Sequence, residues 1–193
     1  MSAAGKVTTG FSKPYVALYS ETGGVVSYSD GQLLGRGVEV SISPESSDDN
    51  IFYADNVAAE TAGGKFTGGT VSMTVDGLLP ATRKLIFGLP TESGDWTAFG
   101  DDMYIPYVGI GYIARQQSDG VETFTATVLA KCRFTLPEDA AATQEEDIDW
   151  QTEALEATIF RADDDNHSWK FLSKEYATEA AAEAALKTKL GIQ

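Results

Sequence analysis

The chain of 193 residues carries 29 acidic and 14 basic side chains, a formal net charge of −15, with 42% apolar residues. That length suits one domain with a sizeable core and leaves a second domain cramped, while the apolar content argues against a disordered acidic chain. Ordinary nucleic-acid binding is disfavoured, because phosphate contacts need clustered Lys and Arg and no basic stripe is present.

Residues 1–13, within "MSAAGKVTTGFSKPY", read as an N-terminal arm without the apolar stretch of a secretion signal. No run approaches the ~20 apolar residues of a membrane span, so no membrane insertion is expected. From Tyr15 to about Phe160 the pattern is mostly period two with Gly, Asp, Asn and Pro punctuation, which predicts an all-β domain. "PYVALYS" and "VVSYSDG" read as short strands around the turn "ETGG". "GVEVSISPE" places Val38, Val40 and Ile42 on one face and Glu39, Ser41 and Ser43 on the other.

The stretch 44–64 is predicted as a long connection between strands, and connections beyond about 12–15 residues are uncommon unless functional. It carries Ile51, Phe52 and Tyr53, which a solvated loop does not need. Packing over the domain's own core and contact with another subunit are the two readings, the second being preferred. "KFTGGTVSMTVDG" then sets Val71, Met73 and Val75 against Thr70, Ser72 and Thr74. "LPATRKLIFGL" predicts a short helix, with Pro80 at its start and Gly88 at its end.

"MYIPYVGIGYIARQQ" and "VETFTATVLAKCRFTLP" flank "SDG" and predict a long hairpin. In its second strand Phe124, Ala126, Val128, Ala130, Cys132 and Phe134 are expected on one face, with Thr123, Thr125, Thr127, Lys131 and Arg133 on the other. Cys132 is the single cysteine, so no intramolecular disulfide is possible.

In "TQEEDIDWQT", a strand would point Ile148 and Trp150 inward and Asp147 and Asp149 outward. Adjacent same-face positions lie roughly 7 Å apart, wider than the about 5–5.5 Å of a retaining glycosidase pair. Glu145, Glu146, Asp147 and Asp149 therefore read as a solvated acidic surface rather than a catalytic pair. "RADDDNHSWK" lacks the alternate acids, Gly and final Glu of a calcium loop and reads as a hairpin tip.

One His and one Cys exclude the usual zinc quartet within a chain, and no G-x-S-x-G surrounds a serine. "GRG" and "TAGGKFTGG" match no phosphate loop. An enzyme is not expected, nor a metal or other cofactor. At the end of the chain, residues 177–193 predict a helix: Thr178 can cap, Glu179 and Glu183 come early, Lys187 and Lys189 late, and Gly191 can terminate.

Taken in order, "GFSKPYVALYS", "YSDGQLLGRGVEVSISPE", "FYADNVAAE", "FTGGTVSMTVDGL", "YVGIGYI" and "ATVLAKCRFTLPEDAAATQEEDIDWQT" closely resemble the major tail protein, or tail-tube protein, of long non-contractile-tailed bacteriophages. The resemblance spans nearly the whole chain, and the ordered set carries it rather than any single motif. It implies one domain over residues 1–193: mainly β, a β-sandwich or partial barrel with one short flanking helix and a C-terminal helix. It also implies hexameric rings stacked into a hollow tube, built in the host bacterial cytoplasm and resident in the virion tail. The implied partners are other copies of the chain, the tape measure protein and the tail terminator and tip proteins, with double-stranded DNA passing through unbound.

On that reading the lumen-facing candidates are Glu39, Ser41, Ser43, Thr70, Ser72, Thr74, Thr123, Thr125 and Thr127. The candidates for contact between rings are Asp48, Asp49, Ile51, Phe52, Tyr53 and Asp55. Closing a barrel between subunits would also protect open strand edges. Three rivals stay open: a carbohydrate-binding or adhesin-like sandwich using Trp96 and Tyr104, a two-carboxylate enzyme, and another virion ring or neck protein.

Overall fold

The computed structural model describes residues 5–90, 96–101, 103–138 and 151–193. In chain order the elements are β1 (Val7–Thr22), β2 (Val25–Leu33), β3 (Gly37–Ser46), β4 (Asn50–Ala54), β5 (Val57–Ala62), β6 (Phe66–Val75), α1 (Pro80–Phe87), β7 (Val108–Ser118), β8 (Val121–Phe134), β9 (Glu153–Phe160), β10 (Lys170–Tyr176) and α2 (Glu179–Lys189). The pairings are antiparallel. One sheet runs β2-β1-β7-β8-β9-β6-β3 with β10 beside β8, and β4 pairs with β5 in a separate small sheet.

Strand β8 is the corner of the fold. Its residues Phe124–Leu129 pair with β10, while Lys131–Phe134 pair with β9. The sheet thereby curls over until β3 lies against β1, where Gly37 meets the ring of Phe11. The fold is mainly β, a partial barrel with two helices, in agreement with the sequence expectation.

Two apolar clusters hold it. Val16, Ile110, Leu129, Cys132, Leu155 and Ile159 fill the space between the two halves of the sheet, each large aliphatic side chain contributing about 1.5–3 kcal/mol on burial. On the outside, Ala182, Leu186 and Leu190 of α2 and its C-terminal cap cover Tyr15, Ala17, Ile113, Phe124, Ala126 and Val128. Gly111 permits this approach, since a Cβ there would run into Leu186. Helix α1 begins at Pro80 and ends at Gly88, whose left-handed φ of 59° lets its N–H reach the Lys84 carbonyl. Helix α2 is capped by Thr178 Oγ1, which accepts from the Ala181 N–H over 3.3 Å.

Three expectations need correction. The arm at 1–13 is strand from Val7 onward, paired with β7 from Val7↔Gln117 to Ser12↔Ile113. Pro14 cannot donate to a ladder, but the chain passes through it by a register shift between Ser12 and Tyr15, with Lys13 at φ 53°.

The long connection 44–64 is no irregular loop. Strand β3 continues to Ser46, and β4 and β5 form a hairpin closed by Asp55 and Asn56 at φ 52° and 60°. Two central residues at positive φ suit the right-handed twist of the flanking strands, and Asp and Asn tolerate that conformation.

The face of β8 is not continuous. Ile110 sits opposite Leu129 but Val108 opposite Cys132, so β8 spends an extra residue in a bulge. Phe124, Ala126 and Val128 point to α2, whereas Leu129, Cys132 and Phe134 point into the barrel.

Candidate functional site

Strands β3, β6 and β9 present one polar outer face, because their odd and even positions fall into register. Glu39 lies opposite Thr74, which lies opposite Ala154. Ser41, Ser72 and Glu156 form the next row, and Ser43, Thr70 and Thr158 the next, which Arg133 of β8 extends. Their alternates Val71, Met73, Val75, Leu155, Ala157 and Ile159 are buried beneath.

Six of the nine lumen candidates, Glu39, Ser41, Ser43, Thr70, Ser72 and Thr74, thus share a surface. Glu39, Ser41, Ser43, Thr70 and Ser72 are exposed and Thr74 is half-buried. Glu45 and Glu156 add acid to this face, and Arg133 is a base at its margin. The outer edge of β3 has no hydrogen-bonded neighbour among the described residues.

The other three candidates do not join this face. Thr125 and Thr127 are each 3% exposed, opposite Ala114 and Tyr112 of β7 inside the fold. Neither can line a bore in this conformation, because the β8 bulge puts the hydroxyl positions before it on the barrel side. Thr123 is half-buried near the β7–β8 turn, opposite Gln116. Glu156 and Thr158 were missed, although the alternation in "EALEATIF" could have found them.

The hairpin β4–β5 carries the proposed contact residues Ile51, Phe52 and Tyr53, all exposed. Asp48 and Asp55 are also exposed, Asp55 in the turn. Asp49 is occupied at the base, where Oδ1 accepts from the Gly64 N–H over 2.8 Å, beside the Ser47 and Lys65 backbone pair. Packing over the core, the competing reading of Ile51, Phe52 and Tyr53, is not what the chain does.

A groove of about 440 Å³ runs between residues 103–105 and the end of β8, with Arg133, Phe134, Leu136 and Thr158 in its walls. Arg133 stands over the rings of Tyr107 and Phe160 at 5.6 and 6.0 Å. Trp96 and Tyr104 are both strongly exposed.

The tempting acidic segments resolve differently. Glu145, Glu146, Asp147 and Asp149, with Ile148 and Trp150, lie outside the described residues. In "RADDDNHSWK", Asp163 accepts from Lys131 Nζ at 2.6 Å and from the Tyr19 hydroxyl at 2.9 Å. Asp164 accepts from the Ser168 N–H at 2.7 Å, and His167 sits in the turn at φ 50°.

Hydrogen bonding holds three carboxyls below the usual range: Asp76 by the Arg36 N–H and guanidinium, Asp163 by Lys131 and Tyr19, and Glu183 by Tyr15. A general acid working near neutral pH needs the opposite direction. Among the described residues no group of three or more His, Cys, Asp or Glu side chains is placed to hold a metal ion. No helix among them is long and apolar enough to cross a membrane.

No protein-family model matches the chain, and no curated protein matches it either.

Proposed function

We propose that this chain is a structural subunit that assembles with copies of itself into stacked six-membered rings, forming the tail tube of a bacteriophage. The observation that carries this reading is the polar outer face of β3, β6 and β9, bordered by an open strand edge at β3. An open edge invites pairing with another chain. Closing such faces around an axis would give a wet, hydroxyl-rich wall.

Charge supplies the mechanism. Six copies of a chain at −15 carry a formal −90, acting over about a Debye length, roughly 8 Å at physiological salt. Double-stranded DNA in the bore is repelled from the wall and slides without sticking. On this reading the tape measure, terminator and tip proteins of the tail are the chain's further partners, and the chain performs no catalysis.

Electron microscopy of the purified protein at high concentration tests the proposal. Rings or tubes support it, and a strictly monomeric protein would overturn it. The exposure of Trp96 and Tyr104 favours glycan binding as a second reading; a stable monomer that binds glycans would select that one.

A further inference from the structure

The chain contains three Asp-Gly steps, Asp30-Gly31, Asp76-Gly77 and Asp119-Gly120, and no Asn-Gly step. At such a step the aspartyl side chain can cyclise on the main chain. The glycine amide nitrogen attacks the carboxyl carbon Cγ, a C–N bond forms, the C–OH bond breaks, and water leaves with the amide proton. Glycine favours this because no Cβ obstructs the attacking nitrogen. Water then opens the succinimide at either carbonyl, which regenerates aspartate or leaves isoaspartate, with the main chain running through Cβ and Cγ. All three steps share this local chemistry, so the fold decides which of them reacts.

Two of the steps are held. The Asp76 carboxylate accepts from the Arg36 N–H over 2.7 Å and from Arg36 Nε over 2.5 Å, while the Asp76 N–H donates to the Arg36 carbonyl over 3.0 Å. Those bonds fix side chain and main chain together. The Arg36 N–H, then its guanidinium, also hold the carboxyl below its usual range, which depletes the neutral form that loses water. Asp30 lies at a register shift within β2, its carboxyl accepting from Ser29 Oγ over 3.2 Å. Gly31 beside it packs under Ile192, which a Cβ there would strike.

Asp119-Gly120 is different. It is the two-residue turn beyond Ser118↔Val121, the last pair of the β7–β8 ladder. Both residues are exposed, at φ 50° and 80°, and nothing stands within 4 Å of the position a Gly120 Cβ would take. Among the described residues neither the Asp119 carboxyl nor the Gly120 N–H has a hydrogen-bond partner. Swinging that nitrogen toward the carboxyl breaks no bond and opens no packed contact, and exposed loop tips rearrange at little cost in free energy.

We infer that Asp119 is a site of spontaneous covalent modification, converting through a succinimide to isoaspartate in the folded chain while the fold protects Asp30 and Asp76. The consequence is local. Isoaspartate adds one atom to the main chain, and a two-residue hairpin turn has no slack for it. The pairs Ser118↔Val121 and Gln117↔Glu122 loosen first, together with Val7↔Gln117 at the start of β1 and the ion pair of Arg115 with Glu122. Further along the strands Ile113 and Phe124 are buried, and from there the ladder keeps its register.

The test holds dilute full-length protein in water enriched in heavy oxygen, warmed but below its melting temperature, and then digests it with trypsin in ordinary water. With the Lys13-Pro14 bond resisting trypsin, each step falls in its own peptide, 7–36, 66–83 and 116–131, and none of these contains a second Asp. Every opening of a succinimide leaves one heavy oxygen behind. Peptide 116–131 is expected to gain label, and to split into aspartyl and isoaspartyl forms, several-fold faster than the other two. In urea-unfolded chains all three should react at similar rates.

Equal labelling of the three peptides in the folded protein would overturn the inference, as would an unlabelled 116–131 under conditions where the unfolded chain reacts. Hydrogen exchange of the aged protein is expected to rise over residues 117–122 and to stay unchanged over 124–129. The Asp119→Ser variant, which has no carboxyl to cyclise, should age without that rise; an equal rise there would overturn the proposed consequence for the turn.

Discussion

The Tyr15 hydroxyl donates to Glu183 Oε1 over 2.6 Å, joining β1 to α2 across 168 positions of sequence. Ser12 donates to Glu179 one turn earlier, and Lys187 sits 3.3 Å from Glu183. The helix is therefore fastened to the outer face of the barrel by polar contacts as well as by Leu186 and Leu190.

This fastening should weaken in acid. Glu183 is held below its ordinary value of 4.5 first by the Tyr15 hydroxyl, then by Lys187 and Lys13, against the opposing effect of burial. A depressed folded pKa stabilises above the unfolded value and loses that contribution as pH falls through the folded one. Glu183→Gln is expected to cost about 1–2 kcal/mol near neutral pH and to flatten the loss of stability below the ordinary value of 4.5. Urea denaturation over a pH series measures both; identical acid profiles for the two proteins would show that the pair contributes nothing.

Cys132 is expected to resist thiol reagents under native conditions. It is fully buried among the barrel residues, and burial pushes its thiol up, away from the reactive thiolate. Cys132→Ala should keep the fold at a cost of about 1 kcal/mol. Rapid labelling of the folded protein by a disulfide reagent would contradict this placement.

Lysine substitutions should separate the polar face from the buried hydroxyls. Thr127→Lys puts a charge among Tyr112 and its neighbours and is expected to destabilise the fold by several kcal/mol. Ser41→Lys and Glu39→Lys lie on the exposed face and should melt within about 0.5 kcal/mol of the unaltered chain while slowing DNA release from assembled tails. Thermal melts and release kinetics read the two effects separately; normal release with Ser41→Lys would remove that face from the bore.

Replacing residues 47–64 with a short Gly-Ser linker should leave β3 and β6 paired, since their ladder runs from Gly37↔Val75 to Glu45↔Gly68 without the hairpin. Circular dichroism is expected to stay strongly β, and tubes should be lost under the microscope. Normal polymerisation by this variant would place stacking elsewhere.

The isolated protein should show negligible affinity for double-stranded DNA at physiological salt. The −15 charge opposes binding, and among the described residues seven of the 14 bases are engaged in ion pairs: Lys6, Lys13, Arg36, Arg83, Arg115, Lys131 and Lys187. A salt-sensitive submicromolar complex would sink the repulsive conduit.

Local chemistry sufficed for much of this protein. Alternation is a property of neighbouring residues, so "GVEVSISPE" and "TVSMTV" already contain the outer face of β3 and β6. Pro80 and Gly88 bound α1, while Thr178 starts α2 and Gly191 ends its C-terminal turn, for reasons that act within a turn or two of helix. The hairpin turn at Asp55–Asn56 was legible by the same token and went unread because the segment looked merely long.

Tertiary structure alone decided the rest. A single extra residue in β8 reverses which side of the sheet every later side chain occupies, and it is visible only against β7, where Ile110 meets Leu129 and Val108 meets Cys132. That bulge buries Thr125 and Thr127, which a strand read by itself would turn outward. Strand pairing across 80 or more positions brings Glu156 and Thr158 beside Ser72 and Thr70, and the pairing of β8 with β9 adds Arg133 to the Thr158 row. These are long-range choices of register, and no local pattern contains them.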